Sequence, residues 1–291
     1  MKECRIIFKN IKNHMFYLLK SNVVLLVLLL LGLYTYKAFA PERDLAKHLD
    51  TYYNIFGLYT FSFCNIKYVL SLSLGALILF SLAISYGQNG FLTILKYTSR
   101  TLVISKILVI LTLSFFYTLI NFVLVSIFSY SSVDMLTYWD DIISNLAKGY
   151  KFRGFNLSLN PKLDIIKNFT PFAAASILFL LLFNIYSAYG MFVFAISLLS
   201  NKIIAGFLGV FVAFMDLLCE VMLPYKYYYY SPFSWPRISI NSQINTSSFP
   251  TLEYAFLMCD IIFIISTVVI ILIINNRIVF CRCFSCNSEG R

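Results

Sequence analysis

Three carboxylates stand inside long uncharged runs of this chain: Asp216 and Glu220 within residues 203–223, and Asp260 within 254–274. An ionised carboxylate in hydrocarbon costs several kcal/mol, so each calls for a cation, a bundle interior or a water-filled path. The four-residue spacing puts Asp216 and Glu220 on one helical face. Counted from Lys202, both fall in the far half of their run, and Asp260 falls in the matching half of the antiparallel run that follows. The three are therefore expected at one level. Three uses of that level are open: an ion pair with Lys226 in a turn beside water, the lining of a substrate path, and a proton relay.

No other constellation points to catalysis. Neither a phosphate-binding Gly-x-x-x-x-Gly-Lys-Ser/Thr loop nor a His-Glu-x-x-His zinc motif occurs, and His14 and His48 are the only histidines. His48 has no Cys or second His nearby, and His14 reads as an interfacial residue. Four of the seven cysteines, Cys4, Cys281, Cys283 and Cys286, lie near the ends of the chain. The last three suit zinc, palmitate or a free tail. The expectation is no catalytic residue, no metal and no cofactor in this chain.

The elements that position the acids follow from composition. With 60% of the 291 residues hydrophobic and 12% charged, the apolar surface exceeds what a water-soluble fold can hide. A bilayer core about 30 Å thick needs roughly 20 apolar residues per helix. Six runs qualify: 22–40, 68–86, 104–128, 172–199, 203–223 and 254–274. They lack the alternation over about ten residues that a membrane barrel strand shows. The expected fold class is an all-α integral membrane protein of six transmembrane helices, one domain over 1–291, with a six-helix bundle over 22–274 and a cytoplasmic tail over 275–291. The sequence Ala38-Phe39-Ala40 fits a signal cleavage site, but the length of the run and Pro41 favour a retained first span.

Segments 1–20, 87–106, 200–202 and 275–291 carry twelve Lys and Arg in fewer positions than the eleven of 37–67, 129–170 and 224–253. Both termini are thus expected in the cytoplasm. The net charge of +10 then reads as attraction to an anionic leaflet, with no nucleic-acid partner needed. Residues 1–20 separate an apolar arc (Cys4, Ile7, Phe8, Ile11, Met15, Leu18, Leu19) from a basic one (Lys2, Arg5, Lys9, Lys12, Lys20). That pattern predicts an interfacial helix, the plainer reading being a positive flank that sets topology. On the opposite side, 41–67 and the aromatic stretch 52–63 are expected at the water interface. The segment 129–170, kept wet by Asp140, Asp141, Lys148, Lys151 and Arg153, has room for a small helical cap. Tyr227–Tyr230 with Trp235 reads as an aromatic belt, or less simply as a ligand-stacking surface.

Between the second and third runs, Gly87 and Gly90 can end one helix, and 91–96 can form a short helix across the face of the bundle. Phe91, Ile94 and Leu95 would then make an apolar patch beside Lys96 and Arg100, needing headgroups or a protein against it. This glycine-led segment, with Ser99-Arg100 and Lys106 after it, resembles the permeases of type-two ABC exporters. The residues that the family usually has as acids before the glycine are here Tyr86, Gln88 and Asn89. In that family the segment is the coupling helix that docks on a separate ATPase. The resemblance assigns this contact to Gly90, Phe91, Ile94, Leu95, Lys96 and Arg100. The amphipathic residues 1–20 resemble the family's elbow helix, and Tyr230-Ser231-Pro232-Phe233 its re-entrant region. The resemblance implies an exporter subunit with Asp216, Glu220 and Asp260 as candidate path residues, ATP and Mg on the partner ATPase, a second permease copy, homo- or heterodimeric, and a bacterial cell membrane. The alternative is an ion-coupled secondary transporter or channel using the same three acids.

Overall fold

The computed structural model describes residues 2–86, 99–129, 132–237 and 250–286. The chain is an all-α membrane protein. Helices α1 (Lys2–Lys20) and α2 (Asn22–Ala38) meet at Ser21 with a bend of 63°. The connecting helices α3 (Ala40–Leu49) and α4 (Ile55–Ser62) lead into α5 (Ile66–Tyr86), and α6 (Ser99–Phe128) follows. Short α7 (Asp141–Ala147) and α8 (Leu163–Asn168) precede α9 (Pro171–Leu199), α10 (Lys202–Val221) and α11 (Leu252–Cys286). Five helices are long and apolar enough to cross a bilayer, and the bent pair α1–α2 makes six if it counts as one span.

Local chemistry explains where the long helices begin. Thr170 caps α9 by accepting from the Ala173 N–H, with Pro171 in the first turn, where its missing N–H costs nothing. Asn201 does the same for α10 through the Ile204 N–H at 2.8 Å. Helix α9 is the hub: 67% of its apolar stretch is buried, and it packs against α4, α5, α6, α10 and most extensively α11. Helix α11 is mostly exposed, with 17% of its apolar length buried. Gly190 lets α9 approach closely, since a Cβ there would stand 2.8 Å from Ile110 and 2.9 Å from Phe80.

The amphipathic helix is not simply laid on lipid. Ile11, Met15 and Leu18 turn toward the bundle, with Leu18 buried, and α1 packs chiefly along α6. Phe8, Phe16 and Leu19 remain exposed, so a second apolar strip is left for the headgroup region.

At the other end the connecting segments form an ordered cap. Two-residue strands β1 (Tyr53–Asn54) and β2 (Val133–Asp134) pair in parallel. Buried Asn54 donates from its amide to the carbonyls of Leu136 and Tyr138, and its N–H donates to Asp140 at 2.7 Å. Asp140 also caps α7 by accepting from the Ile143 N–H, so it is buried rather than wet as the sequence suggested. Glu42 accepts from the Ser158 N–H and hydroxyl, and Arg43 donates to the Phe128 carbonyl at 3.0 Å. Both are buried. The aromatic stretch expected at the water interface is core instead: Tyr53, Tyr59, Phe61 and Phe63 are all buried, because α4 packs on α9 and α6. At the chain's end α11 continues through Cys286, so Cys281, Cys283 and Cys286 lie on a helix, not on a free tail.

Candidate functional site

Helix α10 carries Asp216 and Glu220 one turn apart at its cap end. After Val221 the chain reverses through two 3-10 turns, Tyr225–Tyr230 and Pro232–Ser234, and folds back over the bundle. Aromatic packing drives this return. Phe233, 1% exposed, places its ring edge-on to Tyr189 at 5.0 Å, and Trp235 is equally buried and donates its indole N–H to the Tyr228 carbonyl at 3.0 Å. Tyr254 of α11 donates to the Tyr229 carbonyl and packs edge-on against Trp235.

The returning segment delivers Arg237 to the two acids. One terminal guanidinium nitrogen reaches Asp216 Oδ2 at 2.6 Å and the other reaches Glu220 Oε2 at 2.8 Å. Tyr228 donates its hydroxyl to the same Glu220 oxygen at 2.7 Å. Asp216 and Arg237 are each 2% exposed, whereas the Glu220 side chain is 47% exposed. Burial opposes the charge on Arg237, but Asp216 and Glu220 together outweigh it and hold the guanidinium above its ordinary pKa. Two carboxylates against one guanidinium leave the group one negative charge in excess, on the side where Glu220 meets solvent. Burial likewise raises the Tyr228 hydroxyl, reinforced by Glu220, so it stays a neutral donor.

The geometry thus brings Asp216 and Glu220 together and supplies Arg237, where Lys226 stood as the expected partner. Lys226 is exposed and lies over the Tyr227 ring. The signal was present in the sequence: Arg237 is the other cation of the segment 224–253. Asp260 is exposed on α11, and no described contact joins it to the other two. Among the described residues no group of His, Cys, Asp and Glu is arranged to hold a metal ion. Of the aromatic run, Tyr228 is buried and Tyr230 exposed, so it is part anchor and part belt. Gly90, Phe91, Ile94, Leu95 and Lys96 lie outside the described residues, and Arg100 stands in the first turn of α6.

A second polar group lies deeper. Tyr117 packs edge-on to Tyr186 at 4.9 Å and donates to the Leu72 carbonyl, while Asn121 donates to the Tyr186 hydroxyl at 3.3 Å. All three are buried between α5, α6 and α9, where each hydrogen bond replaces water that the bilayer does not supply. No protein-family model matches this chain, and no curated protein matches it in sequence.

Proposed function

We propose that this chain is the membrane-spanning permease subunit of an ATP-driven ABC exporter, multi-pass in a bacterial cell membrane with both termini in the cytoplasm. The observation that carries the reading is α1, an amphipathic helix bent 63° from the first span and clasped along α6, the helix that follows segment 87–98. A push on that segment would pass into α6 and, through α1, into the first span. The returning turns 225–237, latched by Arg237, support the reading at the other end, where they close the bundle over the phenol-lined interior.

ATP and Mg belong to a separate ATPase chain, and a second permease copy completes the pathway. Asp216 and Glu220 hold the closed state through Arg237, and release of that latch opens the path. Use of Asp216, Glu220 and Asp260 as an ion-coupled relay gains less support, because a buried guanidinium already compensates Asp216. Purification of the tagged chain from its host in mild detergent tests the proposal: an ABC ATPase should come along in near-equal amount. An ion-driven flux in vesicles without ATP, and no ATPase recovered, would replace the exporter with a secondary transporter.

A further inference from the structure

Between the halves of α5 and α10 nearest α1 runs an open groove of about 500 Å³, lined by Leu77, Ile78, Ser81, Ile203, Gly206 and Phe207 among others. Its walls are almost wholly apolar, and Ile203 and Phe207 at its rim are strongly exposed. The floor is open because Gly206 has no side chain, and a Cβ placed there meets no atom within 4 Å. Two cations mark the α1 end of the groove. Lys202 immediately precedes Ile203 at the start of α10, and Lys106 of α6 donates its ammonium to the Ala83 carbonyl at 3.0 Å, beside groove residue Leu82. Each thus flanks a groove-lining residue, Lys202 on α10 and Lys106 across from α5. Among the described residues neither has a carboxylate partner.

An apolar slot beside a membrane span, flanked at one end by two ammonium groups that have no carboxylate partner among the described residues, has the chemistry to hold a phospholipid. We propose that the groove holds an acyl chain of an anionic glycerophospholipid whose phosphate sits between Lys202 and Lys106. The phosphate supplies an anionic partner for both ammonium groups and accepts hydrogen bonds from the protons that Lys106 does not give to Ala83. The site follows from the span architecture alone and does not depend on the ATPase partner.

The test places the full chain in nanodiscs of phosphatidylcholine with phosphatidylglycerol and measures the lipids retained after mild detergent extraction by native mass spectrometry. The wild type should retain phosphatidylglycerol with a preference of about fivefold or more, and Lys202→Gln should lower that preference about fivefold, the share expected of one lysine near a charged headgroup. Gly206→Phe fills the slot at a position where the helix gains propensity, so the chain should fold yet lose both lipids. Equal retention of the two lipids by the wild type, or full retention by Gly206→Phe, overturns the proposal. Disulfide trapping of Phe207→Cys between two chains in the nanodisc would overturn it too, by showing that a second copy fills the groove.

Discussion

Replacing Arg237 by Met removes the cation shared by Asp216 and Glu220 while keeping an unbranched apolar side chain in the buried position. The Asp216 carboxylate, 2% exposed, is then left charged and uncompensated. Removing one partner from a buried pair costs about 3–5 kcal/mol. The Glu220 share is smaller, at most about 1 kcal/mol, because its side chain is 47% exposed and screened. The order of destabilisation should therefore be Arg237→Met, then Asp216→Asn, then Glu220→Gln. The triple variant, with charges removed together, should recover most of the loss. Trp235, two residues away and 1% exposed, reports the local event: its emission should shift to the red in Arg237→Met, with Trp139→Phe removing the other tryptophan. Denaturation in mild detergent gives the free energies. A cost below about 1 kcal/mol for Arg237→Met with unchanged emission would refute the latch, leaving aromatic packing as the whole reason that 225–237 returns to the bundle.

Packing and pH give two further tests. Gly190→Ala forces a methyl against Ile110 and Phe80 at under 3 Å and should cost about 1–3 kcal/mol by the same denaturation assay, whereas Gly206→Ala should be neutral or stabilising. In the cap, burial pushes the Asp140 carboxyl up to about 6 against the hydrogen bonds from Ile143 and Asn54, and it raises Glu42 as well. Asp140 holds its proton more tightly folded than unfolded, so its contribution is full below about pH 4 and is lost as pH rises through about 6, and Glu42 acts in the same direction. Hydrogen exchange over residues 136–146 should accordingly be slower at pH 5 than at pH 7.5 after correction for intrinsic rates, and Asp140→Asn should remove most of that difference.

The spans were legible because each is a property of one continuous stretch. The run 104–128 lies within α6, and 172–199 misses the start of α9 by one residue, the proline that a cap makes favourable. What composition could not show was which polar residues go inside. Glu42, Arg43, Asn54 and Asp140 look like loop residues, yet each is buried by partners 82 or more residues away in the chain. No local pattern encodes such pairings. The acids at 216 and 220 announced themselves by being charged in an apolar run, but their partner lay beyond a reversal that depends on Phe233 and Trp235 finding α9 and α11. Proximity in sequence favours Lys226, while the reversal brings Arg237 instead.

The most direct test of the exporter reading is the segment between α5 and α6. Phe91→Asp and Leu95→Asp each place a charge where the reading puts an apolar contact with an ATPase, at a cost of a few kcal/mol. Substrate-stimulated ATP hydrolysis and ATPase copurification should both be measured, with Arg282→Ala near the end of α11 as a control. The account predicts that both aspartate variants express and insert normally but lose the ATPase and the stimulation. Retention of both properties at normal expression would contradict it, and would mean that the patch rests on lipid and drives nothing.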